Sequence, residues 1–417
     1  MKVLLKTYGC RANQYDTEAV RAMLSAVGGE EVFRAEDADV AVFNSCSVTA
    51  AAEADLRGDV RRAARDNSSI RTIVMGCAPG IPNRDESVAP LKTLPRVSDV
   101  IAGADIGALA SSLGLESQNA AVATSAQTGA RALLRIQEGC DEHCTFCATT
   151  LARGANRSRP TDEIVREAAA LSESHPEIVI TGIHIGSYGH DSGTSLGGLV
   201  SRLIESIPVV RFRLTSLEAT EVDDELREIL TADSTRIAPH LHAPLQSGSD
   251  AVLRRMGRHW YSARSYSRAV ESIVGTRSVF ALSADVIAGF PGETDADHAA
   301  TMSLVADLPF TALHVFQYSP RPGTAALKLN DQVPQSVAAH RASELRDAGR
   351  RKSREYLERR NGGRADVVAI RRGEGLTEDY LSVSLADATI ARRMRFDAVL
   401  AAGDGRLRAV PVLSRNQ

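Results

Sequence analysis

No run of apolar residues in this sequence approaches the roughly 18 that a membrane-spanning helix needs. The N-terminal run Val3-Leu4-Leu5 is broken at once by Lys6. With no span and no secretory signal, the expected location is the cytoplasm, where disulfides rarely persist. The six cysteines are therefore not read as three disulfides. Strong charge of either sign is also missing, since 49 Lys or Arg stand against 52 Asp or Glu for a net −3. Nucleic-acid binding must then be judged from where positive charge sits, not from its total. What is present is 417 residues, 43% hydrophobic and 24% charged, an ordinary globular composition with enough chain for two or three domains.

Three of the cysteines are packed into Gly139-Cys140-Asp141-Glu142-His143-Cys144-Thr145-Phe146-Cys147. Spacings of three and then two residues let three thiolates point at one centre, whereas a structural zinc site normally needs a fourth ligand close by, and no further Cys is near. Three thiolates on a four-iron cube leave one iron open for chemistry. The spacing resembles that of radical S-adenosylmethionine (SAM) enzymes, which implies a cluster whose open iron chelates SAM and delivers an electron to it. The bland alternative is three buried structural cysteines.

The first hundred residues alternate short apolar strands with helical segments, which predicts a parallel α/β domain. Strands are expected over Val3–Thr7, Val40–Phe43 and Ile70–Met75, with helices over Asp16–Val27, stopped at Gly28-Gly29, and Ala50–Arg65. Each strand runs into a cysteine, in Tyr8-Gly9-Cys10, Asn44-Ser45-Cys46 and Met75-Gly76-Cys77. Loops at the carboxyl ends of parallel strands gather in one crevice, so Cys10, Cys46 and Cys77 are expected to converge as a second cluster site. The competing reading is three small buried hydrophobes.

A stretch rich in Ala, Ser, Gly and Thr without aromatics predicts a linker over residues 107–130, after an N-terminal domain of residues 1–106. Strands expected at Ala132–Gln137, Ile178–Gly182, Arg211–Leu217, His240–Leu245, Phe280–Gly289 and Ala312–Tyr318 make residues 131–330 a partial (β/α)6 barrel, with active residues at its carboxyl-end loops. A connecting helix is expected within residues 331–361, and short β-like runs predict a small antiparallel barrel over residues 362–417. From Arg350 to Gln417 there are fifteen Lys or Arg against nine Asp or Glu. That local excess predicts a polyanionic partner, and the barrel's distance in sequence from every cysteine predicts that it is separable from them.

Taken together, Tyr8-Gly9-Cys10 with Asn13, Asn44-Ser45-Cys46-Ser47-Val48-Thr49, Gly76-Cys77, Gln137-Glu138-Gly139-Cys140, Ala152-Arg153-Gly154 and Arg157-Ser158-Arg159 resemble the methylthiotransferases of the radical SAM superfamily over nearly the whole chain. Thr181-Gly182-Ile183-His184 with Tyr188-Gly189, and Leu313-His314-Val315-Phe316 with Tyr318-Ser319-Pro320-Arg321-Pro322-Gly323-Thr324, look most like the branch acting on threonylcarbamoyladenosine in tRNA. The resemblance implies two [4Fe-4S] clusters, SAM, and a methylthio group placed on C2 of the adenine 3′-adjacent to the anticodon. It also implies a reducing donor such as flavodoxin or ferredoxin, an anticodon stem-loop as partner, a monomer, and an RNA-binding C-terminal barrel of the TRAM type, matched through Gly375, Thr377 and Tyr380. Ala148-Thr149-Thr150-Leu151 departs from the family's bulky apolar, proline and tyrosine pattern.

Further candidates rest on position. Phe146 is a candidate to pack on the adenine of SAM, Thr181 and Gly182 to meet its amino group, and Ser216 and Glu218 to bond its ribose or amino group. Asp285 is either a site residue or a satisfied core carboxylate, and Gly289-Phe290-Pro291-Gly292-Glu293 either a cofactor turn or a plain strand-to-helix turn. His240 and His242 share a strand face but are not read as metal ligands. The rival functions are a methylthiotransferase for isopentenyladenosine or a ribosomal protein, and a zinc-stabilised RNA-binding protein.

Overall fold

The computed structural model describes residues 1–46, 50–81, 90–115, 127–403 and 405–412. Ser47, Val48 and Thr49, residues 116–126 of the expected linker, and Leu413 lie outside the described residues. Two compact units are formed, one from Met1–Ser125, Gln137–Arg157 and Ser319–Lys328, the other from Ala126–Ile136, Ser158–Tyr318 and Leu329–Gln417.

In the first unit β1 (Lys2–Thr7), β2 (Glu30–Val32), β3 (Val40–Ser45), β4 (Arg71–Gly76) and β5 (Val97–Ala102) make one parallel sheet in the order β2-β1-β3-β4-β5. Helices α1 (Arg11–Ala26), α2 (Ala50–Asp66) and α3 (Ile106–Ser112) belong to the same unit. Strand β3, Val-Ala-Val-Phe-Asn-Ser, is buried throughout, and its alternate residues serve two cores. Ala41 and Phe43 pack with Leu56 and Val60 of α2, while Val40 and Val42 pack with Val20, Met23 and Leu24 of α1 and Leu109 of α3. Each such side chain larger than alanine contributes roughly 1.5–3 kcal/mol by leaving water, which is why a continuous apolar run settles as a central parallel strand. Residues 106–112, whose composition suggests the start of a loose connection, are helical. Asp105 caps them by accepting from the Ala108 backbone N–H at 2.8 Å, and Leu109 and Ala110 are buried.

The second unit holds the six expected parallel strands: β6 (Ala132–Arg135), β7 (Glu177–Thr181), β8 (Arg211–Leu214), β9 (His240–His242), β10 (Ala281–Ala288) and β11 (Ala312–Gln317). Single parallel bridges, Phe212 to Ile237 and Ser216 to His242, join β8 to the chain of β9. Between the strands run α5 (Thr161–Ser172), α6 (Leu196–Ser206), α7 (Asp224–Thr231), α8 (Asp250–Arg255), α9 (Ala263–Val274) and α10 (Asp295–Asp307); the short α4 (Thr149–Arg153) belongs to the first unit. Ile178, Ile180, Phe212, Leu241, Leu282 and Val286 lie in one continuous core. A 26-residue helix, α11 (Gln335–Arg360), leads into a closed barrel of β12 (Arg364–Arg371), β13 (Glu374–Thr377), β14 (Ser382–Leu385), β15 (Arg395–Ala401) and β16 (Arg408–Pro411). No helix among the described residues is long and apolar enough to cross a membrane.

The small barrel is keyed into the larger one by buried charge. Glu177 at the start of β7 receives Arg211 Nε at 2.6 Å and Arg213 Nε at 2.8 Å, with all three side chains essentially inaccessible. Those arginines reach on, Arg211 Nη1 to the Asp366 carbonyl at 2.8 Å and Arg213 Nη2 to the Thr377 carbonyl at 3.1 Å. Tyr380 lies over the Arg213 guanidinium at 4.9 Å and stacks on His240 at 4.7 Å, while Gly375 leaves no room for a Cβ beside Val367. Thr377 and Tyr380 thus build the joint, while Gly375 serves packing inside the small barrel. Removing one partner of a buried charge set strands the others. Glu177→Gln is therefore expected to destabilise the protein by about 3–5 kcal/mol, read as a fall in denaturation midpoint.

Candidate metal centre and cofactor site

The order β2-β1-β3-β4-β5 reverses between β1 and β3, and ligands of such sheets sit outside the carboxyl ends of the strands at that reversal. Cys10 follows β1, Cys46 follows β3 and Cys77 follows β4, so the sheet delivers all three there. Two glycines allow the approach. Gly9 has φ +91°, and a Cβ on it would stand 2.5 Å from Cys46 Sγ; Gly76 has φ +98°, and a Cβ would stand 2.5 Å from the Ser45 carbonyl oxygen. The Gly-Cys pairs are therefore a steric requirement of the triplet.

Asn13, fully buried in the first turn of α1, organises the three loops. Its Nδ2 donates to the Tyr8 carbonyl at 2.9 Å and the Ser45 carbonyl at 2.7 Å, and its Oδ1 lies 3.9 Å from Cys10 Sγ and 3.7 Å from Cys77 Sγ. Cys10 is exposed while Cys46 and Cys77 are buried. Burial pushes the Cys77 thiol up to about 11, against the pull of the neighbouring Arg153 guanidinium. Gly9→Ala is expected to unseat Cys46 and roughly halve bound iron, from about eight to about four per chain, measured by metal analysis of anaerobically purified protein.

The second triplet lies on a loop of the same unit. Gly139, φ +72°, leaves no space for a side chain, since a Cβ would run into the Ala155 carbonyl oxygen. Gln137 Nε2 donates to the Gly139 carbonyl and to Asn156 Oδ1, both at 2.6 Å, and the Cys140 N–H donates to the Gly154 carbonyl at 3.0 Å. The loop is closed again where the Ala326 N–H donates to the Thr145 carbonyl at 2.8 Å. Cys140, Cys144, Cys147 and Phe146 are all half-buried. The Thr149 N–H meets Cys147 Sγ at 3.4 Å, starting α4 directly behind the last cysteine.

The donor sets fit clusters better than single ions. None of the six cysteines is in a disulfide, and among the described residues the Sγ atoms of neither triplet all lie within 4.8 Å of one another. Thiolates around one tetrahedral zinc would stand about 3.8 Å apart. Arg321, 7% exposed in the first unit, has Nε and Nη2 without a hydrogen-bond partner among the described residues, and burial lowers its pKa against the pull of Glu53 and Cys46. A buried cation with spare donors suits an anionic group beside it.

The second unit places its candidates at strand ends. Thr181 closes β7, buried, with its carbonyl accepting from the Ile136 N–H at 2.9 Å, and Gly182 follows half-buried. Ser216 is exposed beyond β8. Glu218 is buried and held by Arg258 and by Trp260 Nε1 at 2.7 Å. Asp285 pairs with His242 Nε2 at 3.3 Å, and His242 Nδ1 meets Ser283 Oγ at 2.9 Å. His240 belongs to the joint with Tyr380. The turn Gly289–Glu293 is structural in its contacts: Glu293 accepts from the Gly289 N–H at 2.7 Å and from Arg341 of α11 at 2.9 Å.

Asn13, Arg153 and Arg321 gain their roles only from the fold. Asn13 stands near Arg11 and Gln14 and Arg153 follows two threonines, so the local sequence does not set them apart from surface polar residues; their burial does.

Residues 2–100 match the Uncharacterized protein family UPF0004, and residues 134–305 match the Radical SAM superfamily. The chain is 31% identical to threonylcarbamoyladenosine tRNA methylthiotransferase MtaB of Aquifex aeolicus, over 92% of this chain and 96% of that one. It is 34% identical to the protein of the same name from Thermotoga maritima, over 88% and 86%. It is also 34% identical to tRNA-2-methylthio-N(6)-dimethylallyladenosine synthase of Sphingopyxis alaskensis, over 82% and 80%. Among solved structures, the radical SAM methyltransferase TsrM of Kitasatospora setae shares the fold with TM-score 0.57 at 13% identity, covering 78% of this chain and 76% of that one. With relatives this similar along nearly its whole length, the chain belongs to the tRNA methylthiotransferase family of radical SAM enzymes.

Proposed function

We propose that this protein places a methylthio group on C2 of N6-threonylcarbamoyladenosine 3′-adjacent to the anticodon of tRNA. The observation that carries the reaction is the pair of cysteine triplets in one compact unit, one at the reversal of a parallel sheet and one on a glycine-hinged loop, and the choice of base is supported by the relatives named for threonylcarbamoyladenosine. An adenine C2–H has no acidic proton and no leaving group, so acid–base catalysis has nothing to act on. When bound, [4Fe-4S] clusters on the two triplets supply one-electron cleavage of SAM and a sulfur to transfer.

The chain's own part is positioning. Cys140, Cys144 and Cys147 hold the cluster that binds SAM, and Cys10, Cys46 and Cys77 hold the second. Within the first unit Phe146 packs on the adenine of SAM. Within the second, the backbone at Thr181 and Gly182 meets its amino group and Ser216 bonds its ribose. Glu218 joins them through lone pairs left over from Arg258 and Trp260, since a carboxylate accepts about four bonds. A flavodoxin or ferredoxin supplies the electron.

Several basic side chains of the C-terminal barrel and of the end of α11 serve the fold. Arg395 binds Asp366 at 2.9 Å and the Thr235 carbonyl at 2.8 Å, and Arg360 binds Asp379 at 2.7 Å. Arg372 and Arg408 remain exposed on barrel strands or turns and are offered to phosphate. Reversing both to Glu is expected to weaken tRNA binding and to lower the slope of log K against log salt by about two, with iron content unchanged. An unaltered slope overturns the assignment of these two arginines.

The second reading, dimethylallyladenosine as the substrate base, is favoured by the equally similar relatives of that name. Nucleoside mass spectrometry of tRNA from a deletion strain decides between them. Loss of methylthiolated threonylcarbamoyladenosine supports the proposal; loss of only the methylthiolated dimethylallyl nucleoside replaces it with the second reading.

A further inference from the structure

Arg153 ends the short helix α4, six residues after Cys147, yet its side chain reaches the other triplet. That side chain is 1% exposed. Its Nε donates to Cys77 Sγ at 3.1 Å, its Nη2 to Asn13 Oδ1 at 2.5 Å and Asp16 Oδ2 at 2.9 Å, and its Nη1 to Glu138 Oε1 at 3.1 Å. The backbone is brought close to match: a Cβ on Gly80, in the turn that follows Cys77, would stand 2.7 Å from the Ala152 carbonyl oxygen. An arginine that only fastened α4 to α1 would need Asp16 and nothing else. Here one edge of the planar fork satisfies the carboxylates while Nε is aimed at a sulfur.

We propose that Arg153 is a positioning residue of the second cluster, fixing the Cys77 thiolate and raising that cluster's reduction potential through an N–H···S bond supplied by the loop that carries Cys140, Cys144 and Cys147. Hydrogen bonds to ligand sulfur withdraw electron density from iron and stabilise the reduced state. A positive charge held nearby acts in the same direction, and Asp16 tempers it. The segment that follows one triplet thereby supplies a hydrogen bond to a sulfur of the other. This rests on Cys10, Cys46 and Cys77 being cluster ligands, and the experiment separates the two ideas.

The full chain carrying C140A, C144A and C147A leaves one triplet to load. Iron and sulfide are measured after anaerobic reconstitution, and the midpoint potential by a titration followed by electron paramagnetic resonance. About four irons are expected in this parent; none would remove the ligand reading itself. In that background R153Q is expected to shift the midpoint to more negative potential and R153K to shift it less in the same direction. D16N, which leaves Nε on the sulfur and frees more of the positive charge, shifts it the other way or not at all. A midpoint in R153Q equal to the parent's, with iron retained, overturns the proposal. If R153Q fails to load, the melting temperature of the metal-free chain decides. Unchanged, it means that the loss is of ligand positioning, as proposed; sharply lowered, with an unshifted midpoint in R153K, it makes Arg153 a structural anchor and overturns the proposal.

Discussion

Replacing any one of Cys140, Cys144 or Cys147 by Ala removes reductive cleavage of SAM, and deoxyadenosine falls to background. Three thiolates are the minimum that holds a four-iron cube with one iron left open, and the loop offers no substitute, since the intervening His143 is exposed and Asp141 and Glu142 are oxygen donors poorly matched to such clusters. The expected loss is complete because the electron enters SAM only through that site. Each variant should retain about half of the iron, about four of about eight atoms per chain, because the first triplet is built on a sheet that does not depend on the loop for its own core. A variant that still forms deoxyadenosine at a measurable fraction of the wild-type rate sinks the assignment of this loop.

Replacing Cys10, Cys46 or Cys77 separates the two halves of the chemistry. Deoxyadenosine formation persists, uncoupled from product, while methylthiolated tRNA disappears. Cys46→Ala should be the cleanest of the three, since Cys46 is 3% exposed at the end of a fully buried strand and its loss is a small volume change against Gly9. Cys77→Ala also frees Arg153 Nε, so its effect mixes ligand loss with the loss of a hydrogen-bond acceptor. Product at the wild-type level in any of the three variants refutes a second cluster there.

Much of this is legible in the sequence because the elements that matter are central and apolar. Strands β3 and β4 announce themselves as Val-Ala-Val-Phe and Thr-Ile-Val-Met, and each runs directly into its cysteine. Edge strands escape notice, because β2 is Glu-Glu-Val and β5 is Val-Ser-Asp-Val-Ile-Ala, too polar to stand out. Strand β13, Glu-Gly-Leu-Thr, escapes for the same reason. Helix α3 hides in an alanine- and serine-rich stretch whose buried face is only Leu109 and Ala110. The cysteines declare the site; the residues that arrange them do not, because Asn13 and Arg153 matter through contacts with chain 32 to 140 positions away.

The Glu177, Arg211 and Arg213 cluster changes how the C-terminal barrel can be handled. Sequence distance from the cysteines suggests an attachment, but Arg211 and Arg213 spend donors on carbonyls of Asp366 and Thr377, and Tyr380 covers the charge. Cutting the chain at Gly362 would leave two guanidinium groups and a carboxylate facing water through a hole shaped for the missing strands. The barrel is thus no exchangeable cassette. A chimera that imports the corresponding module of a relative must import its own carbonyl register at these two positions, or carry the matching strands β7 and β8 with it.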